Sequence, residues 1–193
     1  MTGMRRFTEK MVTIYRCKIC GEAHLMNSKP SHCPFCGAHA SWLVEAQDYF
    51  GAQPGELSER SRKNLIFTYE LEVRAARIYH CISRKSDDRF MQGMFKAIAK
   101  VELEHAELVG KLIGQDPGCE IPYLENLCSK DRRESLQITG KLEAGAIDHY
   151  TKFLHEAIEP GVQSVFQALL EAENDHLALV KANLTTDNPG GSG

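Results

Sequence analysis

Residues 95–109 read FKAIAKVELEHAELV, and residues 166–180 read FQALLEAENDHLALV. The two stretches align without a gap at an offset of 71 residues. In the first, Phe95, Ile98, Ala99, Val101 and Leu108 follow helical spacing. Glu102 and His105 are three apart, so a helix projects them from nearly the same side, about 60° from each other. One such pair is ordinary in a chain with 26 acidic residues and 8 histidines, and a solvated helix face would explain it. Its recurrence as Glu173 and His176, in the same frame of a second copy, needs another explanation.

The repeat extends upstream. At the same offset Glu72 falls on Glu143, Ala75 on Ala146 and Tyr79 on Tyr150. Helical periodicity through Leu65, Ile66, Tyr69, Val73, Ala76 and Ile78 predicts a first helix over 58–85. Ser86-Asp87-Asp88 ends it, and a second helix is expected over 89–113, before Gly114. A longer segment, 115–130, precedes a third helix from Asp131 to about 157, opened by an Asp131/Glu134 capping box. Pro160-Gly161 marks the next turn, and a fourth helix covers 162–184. Short turns within hairpins and one long connection between them describe an all-α four-helix bundle with a crossover.

Register places the polar residues at one height. Glu72 and Glu102 straddle the first turn symmetrically, and Glu143 and Glu173 straddle the second, each about 20 Å from it at 1.5 Å per residue. Two lone glutamates and two Glu-x-x-His pairs facing inward are a known template, the ligand set of ferritin-like di-iron proteins. The physics is charge. Four buried carboxylates carry −4 and would otherwise have to take up protons at considerable cost. Two ferrous or manganous ions supply +4, His105 and His176 each fill a position, and open positions remain for oxygen or peroxide. Glu70, Glu104, Glu107 and Glu171 lie off that face and read as solvated charge. Tyr79 and Tyr150 lie two turns from their glutamates on the same face, placed either to pack the core or to hydrogen-bond a ligand carboxylate.

Upstream, residues 15–37 read YRCKICGEAHLMNSKPSHCPFCG and contain Cys-x-x-Cys-Gly twice, at Cys17/Cys20 and Cys33/Cys36. Each glycine permits a positive φ, so that backbone N–H groups can point at the sulfurs. Two such knuckles make a tetrahedral four-sulfur site, for which spacing alone leaves iron and zinc both open. Cys81, Cys119 and Cys128 read as free thiols.

Composition divides the chain. Residues 1–45 carry a formal +3 and the remainder −6. A four-cysteine domain over 1–45, a linker over 46–57 with Pro54-Gly55, a bundle over 58–184 and a disordered tail over 185–193 are expected. The net charge of −3 argues against nucleic acid as a partner. With no apolar run long enough for a signal peptide or a membrane span, the expected location is cytoplasmic.

The cysteine stretch resembles a rubredoxin-type domain in its short form. It shares the 12-residue gap between knuckles, Tyr15 two before the first cysteine, Pro30 three before the third, and Cys-Pro-x-Cys. Trp42 stands where an aromatic packs on the hairpin, whereas Glu22 replaces the usual aromatic after the first glycine. Together with the bundle, the chain resembles the rubrerythrin family in its reverse form, with the cysteine domain first. That resemblance implies one iron in the four-cysteine site and two iron ions in the bundle. It makes Glu102 and Glu173 bridges, and Glu72, Glu143, His105 and His176 terminal ligands. It further implies a peroxidase reducing hydrogen peroxide, with oxygen as the other oxidant. Electrons would come from an NAD(P)H-dependent reductase, with rubredoxin or a flavoprotein reductase as the donor, relayed by the N-terminal four-cysteine iron, and the assembly would be a homodimer or larger. An extra glutamate common in the family one turn after the lone glutamate of the third helix is Ala146 here, with Ala75 as its repeat partner. The six-ligand set is closer to a ferritin oxidase centre, so a ferroxidase or iron-handling role is the alternative.

Overall fold

The computed structural model describes residues 12–50, 55–115 and 128–186. Strands β1 (Thr13–Cys17), β2 (Ala23–Met26) and β3 (Leu43–Glu45) form an antiparallel sheet in the order β2-β1-β3. Tyr15 of β1 faces His24 on one side and Glu45 on the other. The first knuckle is the β1–β2 turn, with Gly21 at φ +82° and its N–H donated to the Cys17 carbonyl at 2.9 Å. The second knuckle repeats this with Gly37 at φ +70° and its N–H on the Cys33 carbonyl at 3.0 Å. Only a residue without a Cβ adopts that backbone cheaply, which is why each Cys-x-x-Cys ends in glycine. Short 3-10 turns at Ala40–Trp42 and Ala46–Asp48 flank β3.

Four helices follow, α1 (Glu59–Lys85), α2 (Arg89–Ile113), α3 (Arg132–Glu156) and α4 (Pro160–Thr186). Side-chain caps start the first three: Ser58 accepts from Ser61 N–H, Asp88 from Phe90 N–H and Asp131 from Glu134 N–H. The capping box at α3 forms by half. The Glu134 carboxylate accepts from the Ser129 hydroxyl, which in turn takes the Asp131 N–H. Helix α4 begins at Pro160, two residues earlier than its apolar pattern indicates, because proline at the first helical position forfeits no hydrogen bond. It runs on through Thr185 and Thr186, expected to open a disordered tail; residues 187–193 lie outside the described residues. Gly114, at φ +73°, ends α2.

α1 packs along α2 and α3 along α4, and α1 also meets α3. Two apolar layers fill the bundle. One, at the end nearest the cysteine module, includes Leu65, Val109, Tyr150 and Phe166 and is continuous with Ile19, Ala38 and Leu43 of that module. The other, beyond the glutamates, includes Tyr79, Ile82, Met91, Phe95, Leu136 and Val180. Each fully buried aliphatic or aromatic side chain contributes about 1.5–3 kcal/mol, which offsets the polar layer held between them.

Two expectations are corrected. Cys81 and Cys128 are a disulfide rather than free thiols: the crossover returns the chain to α1 just before α3, bringing their Cα atoms to 5.9 Å. Cys119 lies outside the described residues. Glu171 is not merely solvated. Its carboxylate accepts the Trp42 indole N–H at 2.9 Å, so Trp42 reaches across to α4 instead of only covering its own hairpin. No described helix is long and apolar enough to cross a membrane.

Candidate metal centre

The repeat register delivers six side chains to one level of the bundle. Glu72, Glu102, His105 and Glu173 form one cluster, and Glu102, Glu143, Glu173 and His176 a second, with donor atoms within 4.8 Å of one another in each. Glu102 and Glu173 belong to both. His105 Nδ1 lies 3.2 Å from Glu102 Oε2, 3.4 Å from Glu173 Oε1 and 3.7 Å from Glu72 Oε2. His176 Nδ1 lies 3.0 Å from Glu102 Oε1, 3.1 Å from Glu173 Oε2 and 3.9 Å from Glu143 Oε1. All are buried except His176, whose side chain keeps 12% exposure.

The tyrosines join the site by crossed pairing. Tyr79 O–H donates to Glu143 Oε1 at 2.6 Å, and Tyr150 O–H donates to Glu72 Oε1 at 2.5 Å. Each tyrosine thus holds the lone glutamate of the other hairpin. Both rings are completely buried, so they pack the core as well.

Burial pushes Glu72 and Glu143 well above the usual carboxylate range, and the negative charges of Glu173 and Glu102 push the same way. Burial also opposes ionisation of Glu102 and Glu173, but the two histidines outweigh it and hold both below the usual range. The histidines respond in kind. Burial disfavours their cations, yet the surrounding carboxylates raise both well above an ordinary imidazole. Without metal the layer is therefore a proton store. Its donors fit divalent transition ions: carboxylate oxygens and imidazole nitrogens, with Glu102 Oε1 and Glu173 Oε1 buried and facing the histidine Nδ1 atoms without a formed hydrogen bond.

The four cysteines converge likewise. Cys17 Sγ lies 3.8 Å from Cys36 Sγ, and Cys20 Sγ 3.7 Å from Cys33 Sγ. Sharing of hydrogen bonds among the sulfurs pulls Cys17 and Cys33 down and pushes Cys20 and Cys36 up. Cys20 alone of the four is not fully buried. A four-sulfur set of this kind suits iron or zinc.

The two sites touch. His105 Nε2 donates to the Cys36 carbonyl at 2.9 Å, while its Nδ1 faces the carboxylates. Gly37 lies at this contact, where a Cβ would meet Val101 at 3.6 Å and Ala172 at 3.7 Å, ordinary packing distances, so its positive φ and not a lack of space calls for glycine. His39 and Trp42 fix the same face to Asp175 and Glu171 of α4. Sequence reasoning missed the His105–Cys36 link, because neither helix periodicity nor cysteine spacing reports how two modules dock. It also missed His24, whose Nε2 lies 3.5 Å from Cys33 Sγ. Its position facing Tyr15 across the hairpin is the one signal that points there.

A family model described as Rubrerythrin matches residues 63–184, well over half of the chain. The chain belongs to the rubrerythrin family. Membership supports a di-metal redox function, hence an oxidoreductase, and implies iron as the metal. The rubredoxin-like module here lies N-terminal to the rubrerythrin bundle. Two solved structures share the fold at 19% identity and a TM-score of 0.59. A hypothetical protein from Methanococcus jannaschii DSM 2661 covers 73% of this chain and 87% of its own. KatB, a manganese catalase from Anabaena PCC7120, covers 75% of this chain and 84% of its own. No curated protein matches the chain.

Proposed function

We propose that the protein reduces hydrogen peroxide to water at two iron ions held by Glu72, Glu102, His105, Glu143, Glu173 and His176. Glu102 and Glu173 would be shared between the two ions, since both belong to both donor clusters. Cys17, Cys20, Cys33 and Cys36 would hold a third iron, which would supply one-electron redox chemistry on the donor side. The observation that carries this reading is the hydrogen bond from His105 Nε2 to the Cys36 carbonyl, which joins one proposed ligand of each site. Balance requires H₂O₂, two electrons and two protons to give two water molecules. When bound, the di-iron pair supplies two electrons and Lewis acidity to the peroxide oxygens.

The chain's own residues do the remainder. Donating Nε2–H to Cys36 fixes the His105 tautomer, leaving Nδ1 free to face a cation. Tyr79 and Tyr150 orient Glu143 and Glu72 and keep a proton beside each. Ala75 and Ala146, with Leu71 and Leu142, line a small cavity against Glu72 and Glu143. On the donor side, Cys20 lines a cleft with Lys18, Trp42, Tyr49 and Lys111, where a rubredoxin or flavoprotein reductase would approach.

Disproportionation of peroxide, as the name of KatB suggests, would need no external donor. The docked cysteine module favours the donor-driven reaction, because a catalase or a ferroxidase has no use for a relay. The test is Cys17→Ser. Steady-state peroxide reduction driven by an NAD(P)H-dependent reductase should be lost, while single-turnover oxidation of the pre-reduced bundle by peroxide should persist. Equal steady-state rates in variant and wild type would overturn the relay. Oxygen evolution from peroxide without a donor would favour disproportionation, and uptake of hundreds of iron atoms per assembly would favour storage.

A further inference from the structure

His32 and His39 flank the second knuckle and belong to neither site described above. An isolated antiparallel bridge pairs the two residues, and Ala40 N–H on the Ser31 carbonyl at 2.8 Å holds the strands together beside it. Their rings consequently stand edge-on with centroids 4.7 Å apart. Both Nε2 atoms turn to the same oxygen: Asp175 Oδ2 of α4 lies 3.2 Å from His32 Nε2 and 2.8 Å from His39 Nε2. The remaining ring nitrogens face oxygens too. His32 Nδ1 is 3.0 Å from Ser31 Oγ, and His39 Nδ1 is 3.8 Å from Glu171 Oε2. His32 is thereby oriented as metal-binding imidazoles are, with its second nitrogen on an oxygen, while His39 Nδ1 stands beyond hydrogen-bond distance of Glu171.

The place is as telling as the chemistry. His32, Gly37, Ala172 and Asp175 line a cleft together with His176, the one proposed bundle ligand that reaches the surface. Two imidazoles and one carboxylate, with the solvent side open for water, suit zinc, cobalt(II) or ferrous ion. Calcium and magnesium prefer all-oxygen sets. We propose that His32, His39 and Asp175 form a third metal site for a divalent cation of the zinc–ferrous class, which clasps the cysteine module to α4 over the opening toward His176. The site stands whether or not the peroxidase reading does, since none of its three residues is assigned to that reaction.

The probe is Zn²⁺, titrated into full-length protein whose four-cysteine and bundle sites are already loaded, with metal content and thiolate–metal absorption followed together. Wild type should take one further Zn²⁺ per chain without loss of colour, and its thermal midpoint should rise. Asp175→Asn and the double variant His32→Ala/His39→Ala should lose that ion. Asp175→Glu, which keeps a carboxylate, should recover it in part. His149→Ala, an exposed histidine on α3 outside the cluster, should behave as wild type. A lone outer-shell partner costs roughly 10- to 100-fold in affinity, so a proposed ligand should cost at least that. If a variant also loses its four-cysteine or bundle metals, His32→Gln replaces it, because it leaves the His39–Asp175 docking contact in place. No additional Zn²⁺ in wild type, or retention of the additional ion in Asp175→Asn or His32→Gln, overturns the site.

Discussion

Glu72 and Glu143 keep their protons in the metal-free bundle because burial, then Glu173 and Glu102, oppose a further negative charge. His105 and His176 are held as cations by the same carboxylates. The metal-free layer then carries two cationic imidazoles, two neutral carboxyls and two carboxylates, and is neutral without any ion. Metal ligation requires all six to be deprotonated, so loading both ions should release about four protons per chain. The sign follows: protons and metal compete, and affinity falls as the pH is lowered. Calorimetry of metal binding in buffers of different ionisation enthalpy measures the release directly. A titration with no proton release, or affinities equal on both sides of neutrality, would contradict this charge assignment. The tyrosines offer a second check at this scale. Tyr79→Phe and Tyr150→Phe each remove a hydroxyl from a proposed ligand carboxylate. Metal affinity or peroxide turnover should drop about 10- to 100-fold in each, and nearly alike given the repeat. Wild-type values in both would make the rings core filling alone.

Among the elements, the helices and the level of their polar residues are legible in the sequence because both are local or repeated. Helical spacing marks α1 and α2, and the offset of 71 carries Glu72, Glu102 and His105 onto Glu143, Glu173 and His176. What is not legible depends on where one element lands upon another. The crossed tyrosine pairs need the angle between hairpins, and the Cys81–Cys128 bridge needs the path of the crossover. Glu159 is a further case. It precedes α4, yet its carboxylate accepts Ser58 N–H and the Ser61 hydroxyl at the start of α1, stapling two helix ends together. Burial works against its charge, but these donors prevail and pull its pKa down to about 2. A depressed carboxyl contributes stability that is complete above the unfolded range, about 4.3 for glutamate. That contribution is lost as the pH falls toward about 2. Glu159→Gln should therefore lower the thermal midpoint at neutral pH, with the gap to wild type closing between about pH 4 and 2. A gap as wide near the acid end of that range as at neutrality would show that charge is not the cause.

At the scale of the whole molecule, the decisive feature is that the cysteine module docks on the bundle of its own chain. Charge favours the contact, the first 45 residues carrying +3 against −6 for the rest. The specific bonds then fix its place: His105 to the Cys36 carbonyl, Trp42 to Glu171 and His39 to Asp175. At Gly37 the second knuckle lies against Val101 and Ala172. If electrons follow the His105–Cys36 link, the relay is complete within one chain, and assembly into a dimer adds nothing to it. Mixed assemblies decide the matter. Cys17→Ser would break the proposed relay and Glu102→Ala removes a carboxylate common to both donor clusters, so each variant alone should be inactive in donor-driven turnover. When the two are unfolded together and reassembled, an intrachain relay should leave the mixture as inactive as its parts, because no chain holds both sites intact. A relay that crosses between chains should recover activity in the mixed assemblies, since an intact cysteine module would then face an intact bundle. Absence of recovery is the expected result, with analytical ultracentrifugation of tagged chains confirming that mixed assemblies formed. Recovery would mean that the module serves a neighbouring bundle in the working assembly and that the docking seen here is exchanged between chains.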